Sequence, residues 1–206
     1  MTKTPPHPSR RDVLARIGAA ALTASVLPVA ALRAQSPGTA AALVDAVMAD
    51  VMAVIGSGRS EAAMVREFER IFASYADVPI IAQSVVGPPW RSASAADRRA
   101  FTQAFQGYMA RKYGRQFRDF TGGRIEIDGA RPVRRFVEVA STARVPGRAP
   151  YDVTWLVSDG SGRTRFFNII IEGVNLMVTE RSAVGAMLEA RGGDLGRLAA
   201  DMRAMG

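Results

Sequence analysis

The chain has 206 residues and a formal net charge of +8, from 27 Lys and Arg against 19 Asp and Glu. It has no cysteine, which excludes a disulfide framework. Its one histidine, His7, lies in an N-terminal segment that we predict to be cleaved, so the mature chain is not expected to form Ser-His-Asp, Cys-His or most zinc sites. A hydrophobic share of 48% over this length predicts one domain with its own core.

The N-terminus resembles an export signal. Ser9–Leu14 carries the pair Arg10-Arg11, and a weakly apolar run follows from residue 17 to 32. At about 16 residues the run is shorter than the roughly 20 needed to span a bilayer. Small residues permit cleavage after Ala31 or Ala34. We therefore predict a cleaved twin-arginine signal peptide at residues 1–34 and a periplasmic mature domain at residues 35–206.

Removal of the signal changes the charge. Five basic residues and Asp12 leave with it, so the mature chain keeps +8 − 5 + 1 = +4. This modest excess suits an anionic membrane surface or an acidic partner. Nucleic acid is not expected as a partner, because export separates the protein from it.

Three helices are predicted next. Apolar residues spaced by three and four positions indicate a helix over residues 40–55. Ser60 is expected to begin a second helix, and Asp77 to cap a short third one through Val86. The residues Gly87–Pro89 end this third helix.

The clearest helix begins at Ser94, with Asp97 in a capping-box position. Its aromatic stripe predicts about seven turns, ended by Gly122-Gly123. Arg111, Arg115 and Arg118 share one face, which is either a solvated surface or a site for lipid headgroups. The stripe consists of Phe101, Phe105, Tyr108, Met109, Tyr113, Phe117 and Phe120.

After Gly123 the pattern favours strands. Segments 124–128, 135–145, 151–157 and 163–171 are joined by short turns, which predicts an antiparallel meander. Two helices, 181–189 and 194–205, are predicted to follow. The order of elements indicates one α+β domain.

The sheet is more apolar than an exposed sheet requires. Tyr151, Val153, Trp155 and Val157 share one face of their strand, and segment 166–171 is apolar on both faces. Such strands need cover on both sides. The cover is either an ordinary core or a bound apolar ligand, and periodicity leaves both possibilities open.

Carboxylates do not indicate an enzyme. Asp152, Glu172 and Glu180 lie in or near predicted strands, but their spacing gives no reason for any two to converge. We expect no catalytic residues, no metal and no cofactor.

Two stretches resemble the MlaC family of Mla-pathway substrate-binding proteins, also called the toluene-tolerance family. One is V-V-G-P-P-W-R at residues 85–91, which leads into the long aromatic helix. The other is F-N-I-I-I-E-G-V-N-L at residues 167–176. The family often has Asp where this chain has Asn168, and Ser where it has Asn175, so any role that needs an anion at Asn168 is in doubt.

The resemblance implies a curved antiparallel sheet packed against several helices, with an apolar cavity between them. It also implies a periplasmic phospholipid carrier of an Mla-type ABC transport system, important for outer-membrane asymmetry. The implied partners are phospholipid, an inner-membrane ABC transporter complex and an outer-membrane lipoprotein–porin complex. The alternatives are a carrier of another apolar lipid such as a hopanoid, and a non-catalytic interaction module.

Candidate site residues follow from the aromatic stripes and the strand faces. Arg91 and Arg181 are expected at the pocket mouth or against the headgroup. The predicted cavity lining comprises Phe68, Phe72, Tyr75, Phe105, Tyr108, Val137, Val139, Tyr151, Val153, Trp155, Ile169 and Ile171.

Overall fold

A computed structural model of the chain describes residues 36–205, without the side chains of Phe117 and Arg118. The predicted signal peptide and its cleavage points lie outside these residues. The helices are α1 (Pro37–Ile55), α2 (Glu61–Tyr75), α3 (Val78–Val86), α4 (Ala95–Gly114), α5 (Leu176–Glu189) and α6 (Leu195–Met202). Two short 3₁₀ helices cover Pro88–Arg91 and Gln116–Phe120. The strands are β1 (Arg124–Val133), β2 (Phe136–Arg144), β3 (Tyr151–Ser158), β4 (Arg165–Ile171) and β5 (Val174–Asn175).

The predicted α+β architecture is confirmed. The strands form one antiparallel sheet in the order β1-β2-β3-β4-β5. The helix α1 packs against β1, β2 and β3, while α3 and α5 pack against β4. By length and composition α1 is long and apolar enough to cross a membrane, but its Val44, Val47 and Val51 are buried in the core.

The starts of the helices follow from their caps. The side chain of Ser60 accepts a hydrogen bond from the backbone of Ala63, which starts α2 as predicted. Asp77 precedes α3, but its side chain makes no capping bond. Its backbone N–H instead donates to the carbonyl of Phe166 at 2.8 Å, so Asp77 ties α3 to the sheet.

The helix α4 begins as predicted and ends early. The amide of Asp97 donates to Ser94 Oγ at 3.0 Å, and that hydroxyl donates to the Asp97 carboxylate at 2.6 Å. The helix ends at Gly114 rather than near Phe120. Glycine is a weak helix former, and a Cβ at Gly114 would lie 3.0 Å from Phe68 Cδ2. The close approach of α2 therefore selects a residue that weakens the helix there.

The end of the sheet contains an unpredicted hairpin. Glu172 and Gly173 adopt positive φ angles of 50° and 77° and turn the chain into β5. This short strand pairs with Ile170 and Ile171. Asn175 then accepts a bond from the backbone of Val178, so α5 begins at Leu176, five residues before the predicted start at Arg181.

Candidate functional site

A cavity of about 690 Å³ lies between the sheet and the helices α1, α2 and α4. We call it the main cavity. This volume falls within the roughly 300–1,000 Å³ of ligand pockets. Its wall is formed by Val47, Met48, Val51, Phe68, Ile71, Phe72, Met109, Ala110, Tyr113, Gly114, Gln116, Asp119, Phe120, Ile125, Val145, Arg148, Ala149, Tyr151, Val153, Trp155, Phe166, Ile169, Ile171, Glu172 and Leu176.

The register of the sheet positions the floor of this cavity. Val153 pairs with Ile171 and Trp155 pairs with Ile169, which places these four side chains on one face. A shift in register after Leu156 then brings Phe166 to the same face. This irregularity explains how a strand that is apolar on both sides contributes Phe166 and Ile169 to one wall.

Three aromatic rings that line the main cavity contact one another. The rings of Trp155 and Phe166 have centroids 5.5 Å apart at 81°, and Phe72 lies 6.3 Å from Phe166. The indole N–H of Trp155 donates to Ser141 Oγ at 3.2 Å, and that hydroxyl donates to the Val153 carbonyl at 2.8 Å. The polar tip of Trp155 is therefore satisfied within the sheet.

Four polar residues of the wall are exposed to solvent, and we call this set the mouth: Gln116, Asp119, Arg148 and Glu172. Arg148 lies 3.6 Å from the Asp119 carboxylate, and both side chains are more than half exposed. A cation at the rim of an apolar cavity can contact the phosphate of a lipid. Sequence reasoning missed Arg148, although its place in the Pro146-Gly147 turn between two sheet strands was a usable signal.

Of the predicted lining, Phe68, Phe72, Tyr151, Val153, Trp155, Ile169 and Ile171 border the main cavity. The remaining residues do not. Tyr75 donates its hydroxyl to Asp50 at 3.0 Å, and Phe105 stacks on Phe101 with centroids 5.7 Å apart. Tyr108, Val137 and Val139 are buried in the core. Periodicity identified the inward faces but did not divide them between packed core and open cavity.

Neither Arg91 nor Arg181 borders the main cavity. The Arg181 guanidinium lies against Gly87, where a Cβ would come within 3.0 Å of its Nη2. Gly87 has a φ of 70°, so both the backbone and the arginine favour glycine there. The carbonyl of Arg91 accepts a bond from Arg98 at 2.8 Å.

Two arginines of the basic face predicted on the long helix serve the fold, and the side chain of the third, Arg118, lies outside the described residues. Arg111 donates to the carbonyls of Met205 and Met202 at 2.6 and 2.8 Å and so holds the end of α6. Arg115 pairs with Glu61 on α2 at 3.3 Å.

A second, smaller space of about 50 Å³ lies between β4 and the helices α3, α4 and α5. We call it the side chamber. It shares Phe72, Met109, Phe166, Ile169 and Leu176 with the main cavity. Its other lining residues are Ile81, Phe167, Asn168, Met177 and Glu180.

Glu180 is the most buried carboxylate at the site, with 1% of its surface exposed. Its Oε1 accepts hydrogen bonds from the Lys112 ammonium at 2.6 Å and from the Tyr113 hydroxyl. Burial raises the pKa of Tyr113, and the bond to Glu180 raises it further. Burial opposes the charge on Lys112, but the bond and charge of Glu180 outweigh this and leave the pKa of Lys112 above its ordinary value.

Within residues 36–205, no three or more His, Cys, Asp or Glu side chains are grouped so that they would hold a metal ion.

The fold and the cavity define an α+β protein with an open apolar pocket between sheet and helices. The sequence matches the model of the MlaC family, described as MlaC protein, over residues 45–204. This chain therefore belongs to the MlaC family.

A solved structure shares the fold. The phospholipid-binding protein from Ralstonia solanacearum, determined in complex with a phospholipid, aligns with a TM-score of 0.69 at 20% sequence identity. The alignment covers 80% of this chain and 97% of that one.

Proposed function

We propose that this protein is a periplasmic carrier that holds a phospholipid in the main cavity and does no catalysis. In this proposal it moves the lipid between the outer and inner membranes as part of an Mla-type ABC transport system. The observation that carries the proposal is the main cavity itself, about 690 Å³ in volume and lined mostly by apolar side chains. Membership of the MlaC family, and a similar fold that binds phospholipid in another protein, support it.

The physical need for such a carrier is large. Exposing one acyl methylene to water costs about 0.8 kcal/mol, so a chain of roughly 16 carbons costs on the order of 12 kcal/mol. Lipid does not cross an aqueous compartment unaided at that cost. An apolar cavity that nearly matches the membrane keeps loading and unloading reversible, and it needs no nucleophile, metal or general base.

The mouth provides the contact for the headgroup. Arg148 stands at the rim beside Asp119, and its exposed guanidinium suits a phosphate. The acyl chains would extend inward along Val153, Trp155 and Ile169. The partners in this proposal are an inner-membrane Mla-type ABC transporter complex and an outer-membrane lipoprotein–porin complex.

The cargo is tested by loading. Purified protein is incubated with phospholipid vesicles, separated from them and analysed by native mass spectrometry with identification of the bound lipid. We expect one phospholipid mass on the protein. Protein that never acquires lipid would falsify the carrier function, and a hopanoid or sterol-like mass from cells would replace phospholipid by another cargo.

The wall is tested by placing a charge in it. V153D puts a carboxylate into the main cavity, so we expect loading to fall at least tenfold. V178D is the matched control, since Val178 is 61% exposed on α5 and outside the cavity. Circular dichroism checks that both variants fold, and I169D repeats the test on β4. Normal loading of folded V153D and I169D would rule out this wall.

Location is tested separately. Export through the signal at residues 1–34 predicts that changing Arg10 and Arg11 to Lys retains the precursor in the cytoplasm. Cell fractionation with an antibody against the mature domain measures this. A variant that still reaches the periplasm would point to another export route.

A further inference from the structure

The side chamber contains an acceptor that the protein leaves without a donor. Both donors that reach Glu180, from Lys112 and Tyr113, bind its Oε1. Its Oε2 is buried and has no hydrogen-bond partner among the described residues. A carboxylate oxygen has two lone pairs, and leaving such an atom unmet inside a protein is costly. A hydrogen-bond donor that reaches Glu180 Oε2 would therefore be bound favourably.

The side chamber is bordered by Glu180, whereas the donors Lys112 and Tyr113 do not line it. The volume of about 50 Å³ admits one small polar group, since a water molecule takes about 30 Å³ in the liquid. The remaining walls are mostly apolar, apart from Asn168.

Asn168 does not satisfy the carboxylate. Its side-chain oxygen accepts from the backbone of Ile169 and Met177, and its amide nitrogen donates to Asn175 at 2.9 Å. These bonds hold Asn168 to the start of α5.

The chamber adjoins the far part of the main cavity. The mouth includes Glu172, just beyond the end of β4, whereas the chamber borders β4 from Phe166 to Ile169. Met109 and Leu176 belong to the wall between the two spaces. Methionine is unbranched and changes conformation easily, so it is the part of that wall best able to move. A tail that enters at the mouth reaches this wall with its distal part.

We propose that the side chamber is a subsite for a hydroxyl group carried on the tail of the cargo, and that Glu180 Oε2 accepts its hydrogen bond. The inference rests on the proposed lipid-carrying function and deepens it. A lipid with a hydroxyl far from its headgroup is bound more tightly than the same lipid without one. A trapped water offers the same O–H chemistry, so the test must separate the two sources.

The test is a competition between two lipids that differ by one oxygen. Vesicles contain equal amounts of phosphatidylglycerol with a stearoyl or a 12-hydroxystearoyl chain, and native mass spectrometry gives the ratio bound. Hydrogen bonds to charged groups are strong, so we expect about tenfold or greater enrichment of the hydroxylated lipid. A 2-hydroxystearoyl chain, with its hydroxyl near the headgroup, should show no enrichment.

Matched variants assign the effect to Glu180. K112M/E180M removes the acceptor together with its cation, which avoids an unpaired buried charge, and should bring the ratio to about one. E189Q removes a carboxylate from the exposed end of the same helix and should keep the enrichment. Enrichment that persists in folded K112M/E180M would overturn the assignment.

The lipid competition on the wild-type protein tests the hydroxyl subsite even if K112M/E180M does not fold. Equal loading of both lipids overturns the hydroxyl subsite while leaving the carrier function intact, whereas loading of neither contradicts the carrier function itself. A crystal structure of the protein loaded with the hydroxylated lipid gives the final check. We expect the acyl hydroxyl within hydrogen-bond distance of Oε2, and a water there with the hydroxyl elsewhere would refute the inference.

Discussion

The inner face of the sheet has two halves that look alike in sequence and differ in structure. In the packed half, Val137, Val139 and Val157 are buried in the core. In the open half, Val153, Trp155 and Ile169 border the main cavity. The residue types are nearly the same on both sides. The difference lies in what faces them.

The helix α4 shows one cause of this difference. Its middle part presents Phe101 and Phe105, stacked and fully buried. Its C-terminal part presents Ala110 and Gly114 to the cavity, beside the larger Met109 and Tyr113. The rings of Phe101 and Phe105 fill the space beneath the middle of the helix, whereas the small Ala110 and Gly114 leave room nearer its end. The cavity therefore depends on small lining residues as much as on the large apolar ones around them.

The largest effect should come from the packed half. F105A removes a fully buried ring from a close-packed region, so we expect the free energy of unfolding to fall by about 3–5 kcal/mol. F72A, at the half-buried cavity wall, should cost less, since its ring already borders open space. Urea denaturation of both variants without lipid measures the difference. Equal losses would contradict the division into packed and open halves.

A substitution that fills the cavity tests the open half directly. A110F places a ring where α4 now leaves room, so we expect lipid loading to fall about tenfold while stability changes by no more than about 1 kcal/mol. Native mass spectrometry and urea denaturation measure the two quantities. A104F, at a buried position of α4 outside the cavity wall, is the control and should destabilise by overpacking. Undiminished loading of A110F would mean that Ala110 does not face the acyl chains.

The smallest effect concerns alkaline pH. The pKa values of Tyr113 and Lys112 are raised in the folded protein, so the unfolded chain releases these protons first as pH rises past the ordinary values of 10.0 and 10.5. Their contribution to stability is complete below those values and declines above them. Urea denaturation between pH 8 and about 11 should show this decline, with a shallower slope in Y113F. If stability falls equally steeply with pH in Y113F, Tyr113 does not contribute to the decline.

Much of the fold could be predicted from local signals. Ser60 and Ser94 marked helix starts that the structure shows, and turn residues separated the strands of the meander. The signals failed where distant contacts intervene. The aromatic stripe of α4 continues past Gly114, but the approach of Phe68 selects the glycine at which the helix ends. The start of α5 was missed because its cap, Asn175, lies in an unpredicted hairpin.

The class of fold and the inward faces could be predicted from local pattern, because helix and strand periodicity record which side of an element avoids water. The three-dimensional packing of distant segments determines that Trp155 borders a cavity while Val139 fills the core. It also determines that Arg148, not Arg91 or Arg181, stands at the mouth, and that Glu180 meets Lys112. These arrangements join residues far apart in the chain, and burial patterns alone do not distinguish a hollow from a packed interior.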